Sequence, residues 1–325
     1  MIDRLGLSSS RSLKLGLIGL GRWGVNYARI LTAKSGLTLA AVVTKNQSPT
    51  GLEGVFHTHN WRDLLDFPEL DGVIIACSPD LHFEMAFSLL SKGLPVIIEK
   101  PACYKTDQCL SLMELSLKNN VPCLIDYTHL YSPAYRLLKK KVSQIGMPLV
   151  IRSVGLSYGP FRDNVDVLWD WGSHDVAMCL DLLGEMPKTA SVNIEHFDAK
   201  KTNACIYSLN LEFPSGALST SRFGNISKKK ERLLCVESGK RKWCYDGLSH
   251  SVSEFTNNLE RFTETIAGAP PLTNLVDEFA EMIRSGDSCQ HSLGLAIEVT
   301  RVLNAVESKF NDQKGDLSAN DVCLL

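Results

Sequence analysis

The sequence lacks the features that mark several large classes of protein. No run of about 18 apolar residues occurs, so no segment reads as a membrane span. The opening stretch MIDRLGLSSSRSLK has no apolar core of the kind that signal peptides carry. The formal net charge is only −2, which argues against a nucleic-acid or membrane-surface partner. We therefore expect a cytoplasmic protein that acts on neither nucleic acid nor membranes.

Closely paired cysteines are also missing, although cysteine itself is plentiful. No CxxC pair occurs, which removes zinc ribbons and thioredoxin-like motifs. His57 and His59 lie two apart, but no third ligand follows, so we expect no metal site. Reduced thiols, most of them buried, are the expectation for a cytoplasmic chain. The ten cysteines are Cys77, Cys103, Cys109, Cys123, Cys179, Cys205, Cys235, Cys244, Cys289 and Cys323.

Residues 1–126 alternate short apolar runs with helical patterns. Continuous apolar strands are buried on both faces, which is typical of a parallel sheet with helices on each side. We therefore predict an α/β fold whose N-terminal domain is a Rossmann, doubly wound parallel sheet. The apolar runs are Leu15–Ile18, Leu37–Val43, Val73–Ala76, Val96–Ile98 and residues 121–125.

The pattern changes over residues 127–310. Alternation of apolar and polar residues from Cys205 to Phe213, followed by a Gly turn, is typical of antiparallel strands with one face covered. Helical patterns cover residues 133–143, 168–183, 272–285 and 292–309. We predict a C-terminal α+β domain with an open, mainly antiparallel sheet, followed by a polar tail at 311–325.

The stretch GLIGLGRWG places Gly19, Gly21 and Gly24 in G-x-G-x-x-G spacing, with Arg22 and Trp23 inside the loop. The loop follows a strand and opens a helix, which is the context that dinucleotide binding requires. The first glycine permits the tight turn, the second lets a pyrophosphate approach, and the third lets helix pack on strand. A structural turn without a ligand is the alternative.

The second strand ends in Thr44 and Lys45, where NAD-binding domains usually carry an acid that grips the ribose 2′-hydroxyl. The next acid along the chain is Glu53. A cation and a hydroxyl suit a 2′-phosphate better than a diol, so we predict an NAD(P) cofactor with NADP favoured over NAD. The alternative is that Lys45 is a solvated loop residue.

Two further strands end in polar side chains. The third strand runs into Cys77-Ser78-Pro79 and the fourth into Glu99-Lys100-Pro101. Ligands of doubly wound sheets bind beyond the carboxyl ends of the strands, so both segments are predicted to face the cofactor. The alternative for Lys100 is an ion pair with Glu99 alone.

These motifs resemble the Gfo/Idh/MocA oxidoreductase family. The resemblance rests on the glycine loop, on SPDLHFEMA with His82, on EKP at 99–101, and on VLWDWGSHDVAMCLDLLGEMP with Asp170 and His174. It spans nearly the whole chain. The forms DYTHLYSPAYR and DNVDVLWD are most similar to the nucleotide-sugar branch, that of UDP-N-acetylglucosamine and UDP-N-acetylglucosaminuronate 3-dehydrogenases.

The resemblance implies an NAD(P)-dependent enzyme that transfers a hydride between nicotinamide and a secondary alcohol or ketone of a sugar or nucleotide sugar. Lys100, His174 and Asp170 would be catalytic, and His82 with the strand ends would line the cofactor site. The imidazole of His174 can exchange protons near neutral pH. Asp170 lies four residues before it, so the two side chains share one face of a helix. Lys100 and His174 are expected to meet at one site, and the Lys100–Pro101 bond to be cis.

The C-terminal domain would bind substrate and form a homodimer or homotetramer. Tyr127, Arg162 and Asn164 are the candidate substrate contacts. Asp80 and Ala177 stand where many members have Asn and a second Asp. The alternatives are a dehydrogenase of inositol or of a free sugar, a non-catalytic dinucleotide-binding regulator, and a purely structural histidine in the helix.

Overall fold

The computed structural model describes residues 11–45, 51–288 and 291–317, with the side chains of the last helix placed as far as residue 308. The chain forms two compact units. One runs to Tyr127 and takes in Leu272–Ile297 as well. The other comprises Thr128–Pro271 and the chain from Glu298. Each unit is built on a sheet of its own.

The first sheet has six strands in the order β3-β2-β1-β4-β5-β6, and every neighbouring pair is parallel. This confirms the predicted Rossmann sheet. The three-residue strand β3 escaped prediction because it is too short to show a pattern. The strands are β1 (Leu13–Ile18), β2 (Leu37–Val43), β3 (Phe56–Thr58), β4 (Gly72–Ile75), β5 (Val96–Glu99) and β6 (Cys123–Asp126).

Three helices of this unit are α1 (Gly24–Ala33), α2 (His82–Ser91) and α3 (Thr106–Asn119). Strands β4, β5 and β6 are buried along their whole length, as continuous apolar runs require. Helix α3 ends where Asn120 adopts a left-handed conformation with φ of 51°. The carboxyl ends of the strands therefore present the polar segments to one edge of the sheet.

The second sheet has eight strands in the order β14-β13-β12-β11-β7-β10-β9-β8. Only β7 and β10 are parallel neighbours among these described strands, so the sheet is mainly antiparallel, as predicted. The strands are β7 (Val150–Tyr158), β8 (Thr189–Phe197), β9 (Cys205–Glu212), β10 (Leu218–Gly224), β11 (Ile226–Ser238), β12 (Arg241–Asp246), β13 (Ser251–Thr256) and β14 (Leu259–Thr265).

Two helices of the second unit are α4 (Pro133–Val142) and α5 (Ser173–Leu183). A π-helical turn, Leu168–Gly172, leads directly into α5. Gly172 makes the close packing possible, because a Cβ there would lie 2.7 Å from the Phe223 ring. The π-helical turn before α5 therefore packs closely against β10.

Helix α6 (Pro271–Ser285) and helix α7 (His291–Leu317) follow the second sheet in the chain. The former packs on the first sheet, since a Cβ at Gly72 would lie 3.0 Å from the Phe279 ring. At the start of the latter, Ser292 Oγ accepts a hydrogen bond of 2.8 Å from the amide of Ile125. The sequence placed residues 272–310 with the second domain, because periodicity predicts a helix without naming its partner.

The predicted tail overlaps α7. Its first residues, 311–317, continue the helix, and residues 318–325 lie outside those that the structure describes.

Two cysteines differ from the expectation of reduced thiols. Cys235 and Cys244 are joined by a disulfide. They occupy directly opposite positions of the β11–β12 hairpin, with Cα atoms 4.1 Å apart. Strand register brings them together, and no spacing motif signals it. The free cysteines of the described chain are Cys77, Cys103, Cys109, Cys123, Cys179 and Cys205.

Two features are absent from residues 11–45, 51–288 and 291–317. None of the helices there combines the length and the hydropathy needed to cross a bilayer. No three His, Cys, Asp or Glu side chains in those ranges are grouped so as to hold a metal ion.

Candidate active site

The three glycines of the loop after β1 have different surroundings. Gly19 has φ of 98°, and a Cβ there would lie 2.5 Å from the Ala76 carbonyl oxygen. A Cβ at Gly24 would lie 2.0 Å from the Gly19 carbonyl oxygen. At Gly21, by contrast, a Cβ would meet no described atom within 4 Å. Two glycines therefore close the turn, and the third leaves backbone open to a ligand, which fits a pyrophosphate at the helix start.

A buried carboxylate at the end of β6 contacts the glycine loop and the first turn of α1. Asp126 ends β6 and is fully buried. Its Oδ2 accepts hydrogen bonds from Tyr27 Oη at 2.7 Å and from Trp23 Nε1 at 3.3 Å. Trp23 remains 38% exposed, and Arg22 beside it is exposed. Asp126 therefore fixes the first turn of α1. The sequence signal was a carboxylate at the end of an apolar strand, which we did not single out.

The segment after β2 combines a fixed backbone with an exposed cation. The Thr44 amide donates to the Thr58 carbonyl at 3.1 Å, and His59 Nδ1 lies 2.6 Å from the Thr44 carbonyl oxygen. Thr44 is buried, whereas Lys45 is exposed. The arrangement places an ammonium group, and no carboxylate, directly after the strand.

His82 connects the two polar strand ends. The ring is fully buried, with Nδ1 2.9 Å from the Pro101 carbonyl oxygen and Nε2 3.3 Å from that of Cys77. Burial lowers the pKa of His82, and the two carbonyl contacts raise it less. His82 is thus a neutral ring packed between the segments that follow β4 and β5. The Lys100–Pro101 bond is cis, as predicted.

The other residues of these segments differ in access. Burial raises the pKa of the Cys77 thiol to about 12, so this thiol stays protonated. The Ser78 hydroxyl donates to the Asp80 carboxylate. Pro79 and Glu99 are buried, while Lys100 is half-buried. Of the predicted cofactor contacts, five are therefore buried in this structure: Gly24, Thr44, Pro79, His82 and Glu99.

Asp170 and His174 lie in the second unit, on the π-helical turn and the first turn of α5. The turn is started by Asp166, whose Oδ1 accepts from the Leu168 amide at 2.7 Å. Arg162 Nε lies 3.4 Å from Asp170 Oδ2, so a predicted substrate contact meets a predicted catalytic residue. Distorted helical turns of this type occur often at functional sites.

The segment before this turn is held by an amide side chain. Asn203 Nδ2 donates to the carbonyl oxygens of Arg162 at 2.8 Å and of Val165 at 3.2 Å. Asn164 between them is exposed. The third candidate substrate contact, Tyr127, is only 2% exposed and belongs to the first unit. The structure thus brings Arg162 to Asp170 and keeps Tyr127 in a core.

The sequence analysis missed His129. Its ring centroid lies 5.2 Å from that of His174 in an edge-to-face arrangement. On its other side, His129 Nδ1 lies 3.2 Å from Tyr245 Oη. The available signal was its place in DYTHLYSPAYR, a stretch used above only for its resemblance.

A buried ion pair follows His174 directly. Asp175 Oδ2 lies 3.0 Å from Arg232 Nη1, and the side chains are 0% and 8% exposed. The guanidinium crosses β7 at Gly155, where a Cβ would lie 2.3 Å from Nη1. Within the described chain Arg232 Nε and Nη2 and Asp175 Oδ1 have no hydrogen-bond partner. The pair fastens the first turn of α5 to the sheet.

Comparison with family profiles gives a match to the first unit. Residues 13–127 match the profile of the Gfo/Idh/MocA oxidoreductases, which is described as an oxidoreductase family with an NAD-binding Rossmann fold. Over these residues the chain is similar to that family's NAD-binding domain. The match covers β1 to β6 with the glycine loop and both polar strand ends.

Two curated relatives extend the similarity. Inositol 2-dehydrogenase 2 of Saccharopolyspora erythraea is 28% identical over 193 residues, which cover 56% of this chain and 57% of the relative. The rhizopine catabolism protein MocA of Rhizobium meliloti is 24% identical over 132 residues, or 40% of this chain and 42% of the relative. This chain thus spans about half the length of these relatives.

Solved structures match over nearly the whole chain. A protein of Magnetospirillum magnetotacticum MS-1 is 29% identical, with a TM-score of 0.82 over 91% of this chain and 99% of its own. UDP-N-acetylglucosamine 3-dehydrogenase of Acidithiobacillus ferrooxidans is 20% identical, with a TM-score of 0.79 over 91% and 98%. A 3-ketoreductase of Actinomadura kijaniata, solved with TDP-benzene and NADP, is 15% identical, with a TM-score of 0.82 over 92% and 98%. The last two likenesses show the fold alone.

Proposed function

We propose that this protein is an NAD(P)-dependent oxidoreductase that transfers a hydride between nicotinamide and a secondary alcohol or ketone of a sugar or nucleotide sugar. The observation that carries the proposal is the glycine loop, closed at Gly19 and Gly24 and open at Gly21. A turn that served structure alone would have no need of open space at its central glycine.

The cofactor-binding residues in this proposal lie around that loop. The amides at the start of α1 face the pyrophosphate, with Arg22 and Trp23 beside it. Thr44 and Lys45 receive the adenosine ribose, and the cation supports a preference for NADP. Cys77, Ser78, Pro79 and His82, with Glu99 and Lys100, form the two walls nearer the nicotinamide.

The chemistry assigns one role to each catalytic residue. When bound, the nicotinamide supplies the acceptor for a hydride, which is the carbinol hydrogen with two electrons. His174 takes the hydroxyl proton as general base, and Lys100 donates a hydrogen bond to the oxygen that becomes the carbonyl. Asp170 and Arg162, in contact with each other, orient the sugar. In the reductive direction every transfer reverses.

The choice of substrate rests on the relatives. The nucleotide-sugar branch is supported by the motifs DYTHLYSPAYR and DNVDVLWD. The second candidate substrate is inositol, which the 28% identity with an inositol 2-dehydrogenase favours. Both substrates carry a ring CH–OH, so the same catalytic roles apply.

Turnover of candidate substrates tests the proposed function. Purified protein is incubated with NAD⁺ or NADP⁺ and each of UDP-N-acetylglucosamine, inositol and free aldoses, and reduced nicotinamide is followed by absorbance. We expect reduction with at least one of them. Binding of dinucleotide without turnover of any substrate, in either direction, would instead point to a non-catalytic regulator.

The second sheet is the proposed surface for a homodimer or homotetramer. Large apolar side chains are exposed along it, with Phe197 71%, Leu218 48% and Leu259 64% exposed. Exposed apolar side chains such as these are the kind of surface that an interaction face would bury. Light scattering on the purified protein measures the oligomer, and a monomer at all concentrations would contradict the proposal.

A further inference from the structure

Two imidazole rings lie against each other in the second unit. His129 belongs to a short 3₁₀ turn, Thr128–Tyr131, and His174 to the first turn of α5. Their ring centroids are 5.2 Å apart and their planes meet at 79°. An edge-to-face contact is favourable because the edge of an aromatic ring is positive and its face negative. The contact therefore restricts rotation of the His174 ring.

His129 is itself held from behind. Its Nδ1 lies 3.2 Å from Tyr245 Oη, and the two rings are also edge to face. Tyr245 is 1% exposed and packs against Tyr135 at a centroid distance of 5.9 Å. Burial raises the pKa of Tyr245, so its hydroxyl stays protonated and is able to donate a hydrogen bond to His129 Nδ1. The buried phenol is therefore an anchor for the His129 ring.

A ring that transfers protons needs this support. The backbone of α5 is fixed by the Asp175–Arg232 pair, but the His174 side chain is half-buried and rotates about two torsions. A displacement of about 1 Å in a reacting group lowers a rate by up to about a hundredfold. A neighbour that restricts the ring therefore contributes directly to the rate.

We propose that His129 is a positioning residue for His174, with Tyr245 as its anchor. The inference rests on the proposed function, in which His174 is the general base, and adds the residue that orients it. His129 acts through the second ring, so its removal should lower kcat and leave the affinity for dinucleotide unchanged.

The first test needs neither substrate nor cofactor. The His174 ring protons are assigned in the NMR spectrum by their loss in His174→Ala. Tyr245→Phe deletes one oxygen and keeps the ring, and we expect it to move the His174 resonances by loosening His129. In a protein that already carries His129→Ala, Tyr245→Phe should no longer move them. Unmoved His174 resonances in Tyr245→Phe, or an equal movement in both backgrounds, would overturn the proposal.

The second test is kinetic, with whichever of UDP-N-acetylglucosamine or inositol is turned over. His129→Ala should lower kcat about tenfold to a hundredfold with KM nearly unchanged. His129→Phe, which keeps an aromatic edge, should restore part of the rate. In a protein that already carries His174→Ala, His129→Ala should cause no further loss of kcat, because the effects of residues that act as a unit are not additive. His196→Ala, at an exposed position of β8, is the matched control.

The outcomes separate the two proposals. If His174→Ala loses turnover while His129→Ala retains it, or if the losses multiply, the positioning role is wrong and the proposed function stands. If His174→Ala retains full turnover, the proposed general base is wrong, and the NMR comparison alone decides whether Tyr245 and His129 set the ring.

Discussion

His82 Nδ1 lies 2.9 Å from the carbonyl oxygen of Pro101, inside a fully buried environment. The same ring reaches the carbonyl oxygen of Cys77 through Nε2. One side chain thus connects the ends of two neighbouring parallel strands, at the edge where a dinucleotide is proposed to bind. A neutral ring carries one N–H and donates to one of the two carbonyl oxygens, whereas a charged ring could donate to both but would be buried at a cost.

Stability should depend on pH through His82. Burial lowers its pKa in the folded protein, whereas the unfolded chain takes up the proton near pH 6.5. The contribution of neutral His82 to the free energy of unfolding is therefore complete above about pH 6.5. It is lost as the pH falls toward the lowered pKa of the folded protein, by up to about 1.4 kcal/mol per pH unit. Urea unfolding of the native protein and of His82→Gln at several pH values measures the difference. A difference that stays constant from pH 8 to pH 5 (about the range in which histidines titrate) would contradict it.

Gly21 and Gly24 should respond oppositely to the same added methyl group. Gly21→Ala points into open space, so it should leave the midpoint of thermal unfolding unchanged and weaken dinucleotide binding by about tenfold or more, or about 1.4 kcal/mol. Gly24→Ala meets the Gly19 carbonyl and should destabilise the fold itself. Thermal unfolding and titration with NADPH separate the two. Equal effects of both variants on unfolding would be inconsistent with the open position at Gly21.

Lys45 should set the preference between cofactors. The expected result is that NADPH binds more tightly than NADH, and that Lys45→Ala weakens NADPH by about tenfold while NADH changes little, because a charge-assisted bond to phosphate contributes about 1.5–3 kcal/mol. Calorimetric titration of both cofactors measures it. Lys92→Ala, an exposed lysine at the end of α2, is the control. Tighter NADH binding that Lys45→Ala does not alter would show that the cation has no such role.

Lys100 and His174 should each be needed for turnover. Loss of a general acid or base typically costs about 10²–10⁴-fold in rate, so turnover by Lys100→Met and by His174→Ala should be lower by a factor of that order. Cofactor affinity should change far less, because the phosphates are held at the glycine loop. Steady-state kinetics and NADPH titration check both statements. Lys105→Met, at an exposed site just before α3, serves as the control, and full turnover in His174→Ala would exclude the assigned base.

The Asp175–Arg232 pair should contribute strongly to stability. Arg232→Met leaves the buried Asp175 carboxylate without its cation. It should lower the free energy of unfolding, measured in urea, by about 3–5 kcal/mol. Asp175→Leu combined with Arg232→Met should cost less than Arg232→Met alone, because no charge then remains buried. The control is Arg152→Met, which breaks the exposed pair with Glu237 and should cost no more than about 1 kcal/mol. A double variant less stable than Arg232→Met would argue against a charge effect.

The Rossmann unit was predictable because its signals are local. Apolar runs such as Val96–Ile98 predict buried parallel strands, and the spacing of Gly19, Gly21 and Gly24 predicts the loop between strand and helix. The edge strand β14 left no such signal, since every residue in it is exposed and no alternation results.

Contacts between distant residues were beyond reach of the sequence. Nothing in the spacing pairs Cys235 with Cys244, or brings Tyr245 to His129, because these contacts follow from the register and packing of an eight-stranded sheet. Asp126, which holds Trp23 and Tyr27 from a hundred positions or so along the chain, is of the same type. The proposed catalytic residues lie in motifs, whereas Tyr245 and Arg232, which hold other side chains in place, do not.

The chain leaves the first unit at Tyr127, returns to it at Leu272 and leaves again after Ile297. A fragment that stopped at residue 127 would lack the helix whose Phe279 covers Gly72 and the Ser292 hydroxyl that receives the Ile125 amide. Neither unit is therefore encoded by one uninterrupted stretch of gene. A free-standing cofactor-binding module would have to be made by splicing residues 272–297 onto residue 127 through a new linker, and a simple stop codon would expose apolar core to water.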